Sequence, residues 1–166
     1  MRIVSLAPII AAATAALALG TAGPAAAEQV GEWSIVEGSG SCIGYLGPDA
    51  IAAATLPMAK PRSITLTVTG PREGTFRWSG VELGEAPPAI TNVQLGFFGP
   101  EGLVGERETL VDLRPDEVSV PMTPELWDLV WQSDAVGMRF GETGLVAPLA
   151  GGGKALGEAL TACLEK

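Results

Sequence analysis

Three consecutive glycines, Gly151, Gly152 and Gly153, break the chain shortly before its end, and the residues after them are spaced for a helix. Leu156, Ala159, Leu160 and Cys163 fall at offsets of 0, 3, 4 and 7, which places them on one face of an α-helix. Cys163 is the second of only two cysteines, and the first, Cys42, lies near the other end of the chain. A bond between them would bolt the last helix onto whatever element carries Cys42. The glycines themselves read as a flexible lead-in to that helix. Two free thiols or a bridge between molecules are the alternatives that the cysteine count leaves open.

The opening residues bear on that choice. Residues 1–27 have the layout of a secretory leader: Arg2 as a positive start, an apolar run from Ile3 to Leu19, and the small residues Ala25-Ala26-Ala27 before Glu28. An uncleaved anchor would need about 20 apolar residues, and the small-residue site favours cleavage. No cysteine closely follows the apolar run, so no lipid anchor is expected. The remainder, residues 28–166, is a one-domain length, exported to the periplasm or secreted, with no transmembrane span after cleavage. Export places both cysteines in an oxidising compartment, so the Cys42–Cys163 bridge is the expectation. Closing so long a loop stabilises by about 4–5 kcal/mol in the chain-entropy account.

The whole chain carries 10 basic and 19 acidic side chains, a formal charge of −9. Such a domain repels phosphate backbones, which argues against nucleic acid as a partner. It is compatible with cationic partners or with calcium.

Between the leader and the last helix the dominant period is two. Residues 31–36 read as a first strand, with Trp33 and Ile35 on one face, and 42–46 as a second. Residues 50–55 are ambiguous between helix and strand, and the surroundings favour strand. Residues 63–69 alternate Ile64, Leu66 and Val68 with serine and threonines, so one face is buried and one is wet. A Gly-Pro-Arg-Glu-Gly turn at 70–74 leads to 75–81, where Phe76 and Trp78 alternate with polar residues, making a hairpin. An irregular loop is expected at 82–88, then strands at 90–98, 106–113 and 117–122. There the period changes. Thr123, Pro124 and Glu125 form a helix start, with a capping hydroxyl, proline at the first helical position and an acid in the first turn. That helix should end near Ser133. Strands at 135–140 and 145–149 flank a turn at 141–144. Apolar faces of this kind must be covered, which gives a mainly β, antiparallel β-sandwich or flattened barrel of about eight strands, with a short inserted helix and a C-terminal helix.

The chain has no histidine, which removes Ser-His and Cys-His nucleophiles and every histidine metal site. No Cys-x-x-Cys and no phosphate-cradling glycine loop occurs, and no cofactor is expected. Paired acids remain conceivable for a hydrolase of envelope polymers, with Glu106, Glu108, Asp112, Asp116 and Glu117 as the candidates. Their spacing fits no motif, the alternating acids of a calcium loop are missing, and the expectation is a protein that is not an enzyme.

The aromatics point toward binding. Trp127 and Trp131 are four apart and share one side of the short helix. With Leu126 they make that helix more apolar than one packed face requires. Either both tryptophans are core, or part of the run meets a partner, since exposed tryptophan is typical of interface anchors. Phe97, Phe98 and Trp78 are candidate lining for a small apolar ligand. The class of function expected is therefore a non-catalytic envelope protein that binds another envelope component or a host partner, with a carrier of a small apolar ligand as the alternative. The oligomeric state is left open.

The frame as a whole carries a resemblance. A leader, Trp33 nine residues before Cys42, alternating strands, and an ending that runs Gly151, Ala155-Leu156, Leu160, Cys163 resemble the invasion-associated locus B family of small alphaproteobacterial periplasmic proteins. That resemblance implies a non-catalytic envelope β-domain tied to host-cell colonisation, and it supplies no catalytic residue.

Overall fold

Alternating side chains become strands when one face can be buried, and here the alternation folds into a single antiparallel sheet. The computed structural model describes residues 27–53, 61–82, 89–140, 143–149 and 151–166. Except for Ala27 and Glu82, the expected leader and the expected loop at 82–88 lie outside the described residues. In chain order the elements are β1 (Glu28–Val30), β2 (Trp33–Gly38), β3 (Ser41–Leu46), α1 (Pro48–Ala53), β4 (Ser63–Gly70), β5 (Glu73–Ser79), β6 (Ala89–Gly99), β7 (Gly102–Arg114), β8 (Glu117–Met122), α2 (Pro124–Trp131), β9 (Ala135–Phe140), β10 (Thr143–Pro148) and α3 (Gly153–Leu164). The strands run β1-β2-β3-β4-β5-β8-β7-β6-β9-β10, ten where about eight were expected.

The register explains the shape. β5 and β8 pair over six positions, whereas β7 and β8 pair only at Asp112↔Ser119, Leu113↔Val118 and Arg114↔Glu117. Beyond those pairs β7 leaves β8 and the sheet divides into a six-stranded half and a four-stranded half, β7-β6-β9-β10. At the far side, the Trp33 indole N–H of β2 donates to the Pro148 carbonyl of β10 at 3.1 Å. The sheet thus bends back on itself as a flattened barrel, with the core between the halves. Trp33, Phe76 and Trp78 form its aromatic centre, with ring centroids 6.2 Å and 4.5 Å apart in sequence order.

Cys42 of β3 and Cys163 of α3 are bonded, with Cα atoms 6.0 Å apart across 121 residues. The bond holds α3 over the six-stranded half, where Leu156 and Leu160 are fully buried. The three glycines are not a flexible lead-in. Gly151 and Gly152 sit at φ of 92° and 89°, a region that other residues avoid. Gly153 donates to the Ser133 carbonyl at 2.8 Å, and a Cβ there would collide with the Val130 carbonyl. The glycines set α3 directly against the end of α2.

The strand expected at residues 50–55 is corrected over 50–53, where α1 covers Pro48–Ala53; residues 54 and 55 lie outside the described residues. Pro48 fixes a helical φ, Asp49 sits in the first turn, and the alanines carry no β-branch to oppose the helix. The Ile51 N–H donates to the Gly47 carbonyl at 3.2 Å, and Ile51 anchors this turn in the core with Ala50 packed beside it. β1 has no alternation to betray it, and β7 starts at Gly102, ahead of the expected Glu106.

Candidate functional site

The helix start read from sequence places the site. The Thr123 hydroxyl oxygen accepts from the Leu126 N–H at 3.4 Å, and Pro124 opens α2. The Glu125 carboxylate accepts from its own backbone N–H and from the Thr123 hydroxyl, and these bonds hold it below the usual carboxylate range. The Arg72 and Arg107 charges add to that pull. At the other end the Ser133 hydroxyl, itself buried, donates to the Leu129 carbonyl at 2.6 Å and closes the last turn.

α2 buries Leu126, Trp127 and Val130. Trp127 is only 6% exposed, and among the described residues its indole N–H has no acceptor. Trp131, one turn on, is 38% exposed. The two tryptophans share a helix face, as their spacing requires, yet they have different fates. Of the three candidates for partner contact, Leu126 and Trp127 are buried in the packed interior, the core alternative for Trp127, and Trp131 is the one that meets solvent. Its indole lies on the backbone of α3 at Gly157, where any Cβ would overlap the indole nitrogen.

These side chains line a pocket of about 320 Å³ between α2, α3 and the β4–β5 turn, with Val68, Pro71, Trp127 and Trp131 as its apolar walls. Arg72 and Asp128 stand at it as the charged members and form an ion pair between the turn and the helix. Arg72 has a φ of 64°, the only non-glycine among the described residues in the left-handed region. A second hollow of about 480 Å³ shares Pro71 and Thr161 with the first and continues along α3 to Lys166. It is less apolar than the first, with Glu37, Ser41, Thr69 and Glu165 in its lining beside Pro71, Cys163 and Leu164. Together the two hollows make one groove, most apolar at the Trp131 end and bordered by charges at the end of α3.

The other candidates are placed elsewhere. Trp78 and Phe97 are buried in the core, and Phe98 lies outside on the opposite face of β6, so these three do not line a common cavity. Asp112 pairs with Arg114 at 3.2 Å, and Glu117 faces Arg77 at 3.5 Å and accepts from the Ser119 hydroxyl at 3.3 Å. Glu106 accepts from the Gln94 side-chain amide at 2.9 Å and, with Glu108, borders a separate hollow on β6–β7. Asp116 offers its backbone carbonyl to the N–H groups of Gly80 and Val81. Among the described residues no three of histidine, cysteine, aspartate or glutamate gather as metal ligands, and no helix is long and apolar enough to cross a membrane.

Arg72 and Gly157 escaped the sequence reading, and both left a signal. A Gly-Pro-x turn ordinarily wants glycine at the position that Arg72 fills. A glycine inside a helix costs about 1 kcal/mol relative to alanine, so Gly157 implied a close neighbour. In comparisons with known proteins, no family model, no curated protein and no solved structure matches this chain.

Proposed function

We propose that this chain is a non-catalytic, exported envelope domain that binds a partner through the groove beside α2 and α3. One observation carries the reading: a half-exposed tryptophan stands in a concave, largely apolar pocket, with a second tryptophan behind it. Pockets that combine apolar walls with a few polar groups are the usual form of a binding site. The strained φ of Arg72 supports it, because such conformations cost about 1–3 kcal/mol and cluster where function retains them. The Cys42–Cys163 bond is in keeping with an oxidising compartment, and the frame shared with the invasion-associated locus B family is in keeping with the envelope. The arginine partners of Asp112 and Glu117 favour a structural use of those acids over a hydrolytic one.

The test is a titration with N-phenyl-1-naphthylamine, an uncharged probe that fluoresces in apolar sites. The wild-type protein should enhance its emission, and Trp131→Ala should abolish the enhancement while the fold is retained. No enhancement, or enhancement that survives Trp131→Ala, would overturn the reading.

A further inference from the structure

Charge along the groove says what its occupant carries. Both cations at the groove are already matched: Arg72 pairs with Asp128, and Lys166 lies 3.6 Å from Glu28. Of the acids that line it, the exposed Glu37 and Glu165 have no ion-pair partner among the described residues. The groove therefore has an excess of negative charge, and the end of α3 adds the negative pole of its backbone dipole. The molecule also shows what sits well there. Arg72 accepts an unfavourable backbone conformation while its guanidinium lies against Asp128, beside the two indoles.

Resting on the binding role argued above, we infer that the occupant is a segment of another polypeptide in which an apolar side chain neighbours lysine or arginine. The apolar side chain enters the Trp131 pocket. The basic side chain takes the place beside Asp128 that Arg72 now fills, or faces Glu37 and Glu165. The second hollow, bordered by Ser41, Thr69 and the Gly38–Gly40 turn beside Pro71 and Leu164, offers hydrogen-bonding groups that a polypeptide backbone can use and an alkyl chain cannot. From Gly157 to Leu164 the wall formed by α3 extends about 10 Å, the reach of about three extended residues. Arg72 is in this view an internal competitor for the site.

The probes are three short capped peptides of one pattern, with phenylalanine and leucine between lysines, between glutamates or between serines, read by fluorescence anisotropy of a label. At low salt the lysine peptide should bind about tenfold or more tighter than the glutamate peptide and severalfold tighter than the serine peptide, and the advantage should shrink as salt screens the charges. Arg72→Gly should tighten the lysine peptide about two- to fivefold, the size of one exposed charge contact, and Trp131→Ala should cost about tenfold or more. Serine and lysine peptides binding equally, both lost in Trp131→Ala, would overturn the basic occupant and leave the apolar groove standing. No binding by any of the three, or lysine-peptide binding that survives Trp131→Ala, would end both readings. Weaker lysine-peptide binding in Arg72→Gly would overturn the inference, because Arg72 would then not be competing with the peptide's cation for Asp128. A dimer in sedimentation that Trp131→Ala dissolves would do the same, with a second copy as the occupant.

Discussion

Two regions expose apolar side chains, and they are unlike. The β6–β7 ribbon shows Ile90, at 74% exposure, together with Phe98, Leu103, Val104 and Leu110, on a sheet surface. The groove beside α2 and α3 shows only Trp131, but in a concave pocket. By amount of exposed apolar surface the ribbon would be the site. Its side chains, however, have local work. The Phe98 ring lies over Gly96 and Gly137, about where their side chains would be, and Leu103 packs beside Gly96. Beyond Asp112 the ribbon's outer strand, β7, has no strand partner on its far side among the described residues, and that edge carries Glu106, Arg107 and Glu108, charges of the kind that discourage edge-to-edge pairing. Shape and local conflict therefore mark a site better than hydrophobicity does. The groove has the conflicts: Arg72 at a φ meant for glycine, and a glycine inside a helix to admit an indole.

Removing the groove's floor should have the largest effect. Trp127→Ala should lower stability by about 3–5 kcal/mol, as for other buried aromatics, whereas Trp131→Ala should cost about 1 kcal/mol, in the range of partly exposed positions. Chemical denaturation of the two variants measures both. Equal large losses would make Trp131 a core residue and erase the contrast between groove and ribbon.

The disulfide comes next. Cys163→Ser should cost about 2–5 kcal/mol and should loosen α3, which forms one wall of the groove, more than it loosens the ribbon. Hydrogen exchange on the variant separates these. Protection lost first along β6 and β7 would show that the bond serves the whole barrel evenly. Smaller effects test the ribbon itself. Phe98→Ala should cost about 1–2 kcal/mol, since it uncovers two glycines of the sheet. Leu110→Ser should stay within about 0.5 kcal/mol. If Leu110→Ser instead impaired peptide binding without loss of stability, the ribbon would share in recognition.

The parts of this fold that repeat could be read from the chain. The alternation of Ile64, Leu66 and Val68, the Thr123-Pro124-Glu125 start and the face of Leu156, Leu160 and Cys163 each fix an element by local rules, and each stands where it was expected. The Cys42–Cys163 bond followed from the expectation of an oxidising compartment and from there being no third cysteine. The readings that failed lacked periodicity or depended on distant neighbours. β1 is three residues long and has no buried alternation. In α1 a proline and alanines outweighed the expectation of another hairpin strand. For the site, the helix spacing put Trp127 and Trp131 together but could not rank their burial, because the rank depends on how α3 lands on α2. That landing is set by Gly153 and Gly157, which read locally as a chain break and a weak helix position.

The smallest expected effect concerns protonation at the start of α2. Glu125 is fully exposed, yet bonds from its own backbone N–H and from Thr123 lower its pKa in the folded state. A carboxyl with a depressed folded pKa contributes stability above its unfolded pKa, about 4.3 for glutamate, and loses that contribution as pH falls through the folded value. Acidification below about pH 4 should therefore fray the first turn of α2 before the barrel unfolds, and the near-ultraviolet dichroism of the tryptophans should report it. Glu125→Gln removes the charge at every pH. Its first turn should already be loosened at neutral pH, and the acid-induced change should disappear. Because α2 forms one wall of the groove, lysine-peptide binding should weaken in step with the dichroism in the wild-type protein, while exchange protection along β6 and β7 stays unchanged. An acid transition that persists unaltered in Glu125→Gln would assign it to another carboxyl, and pH would no longer distinguish groove from ribbon.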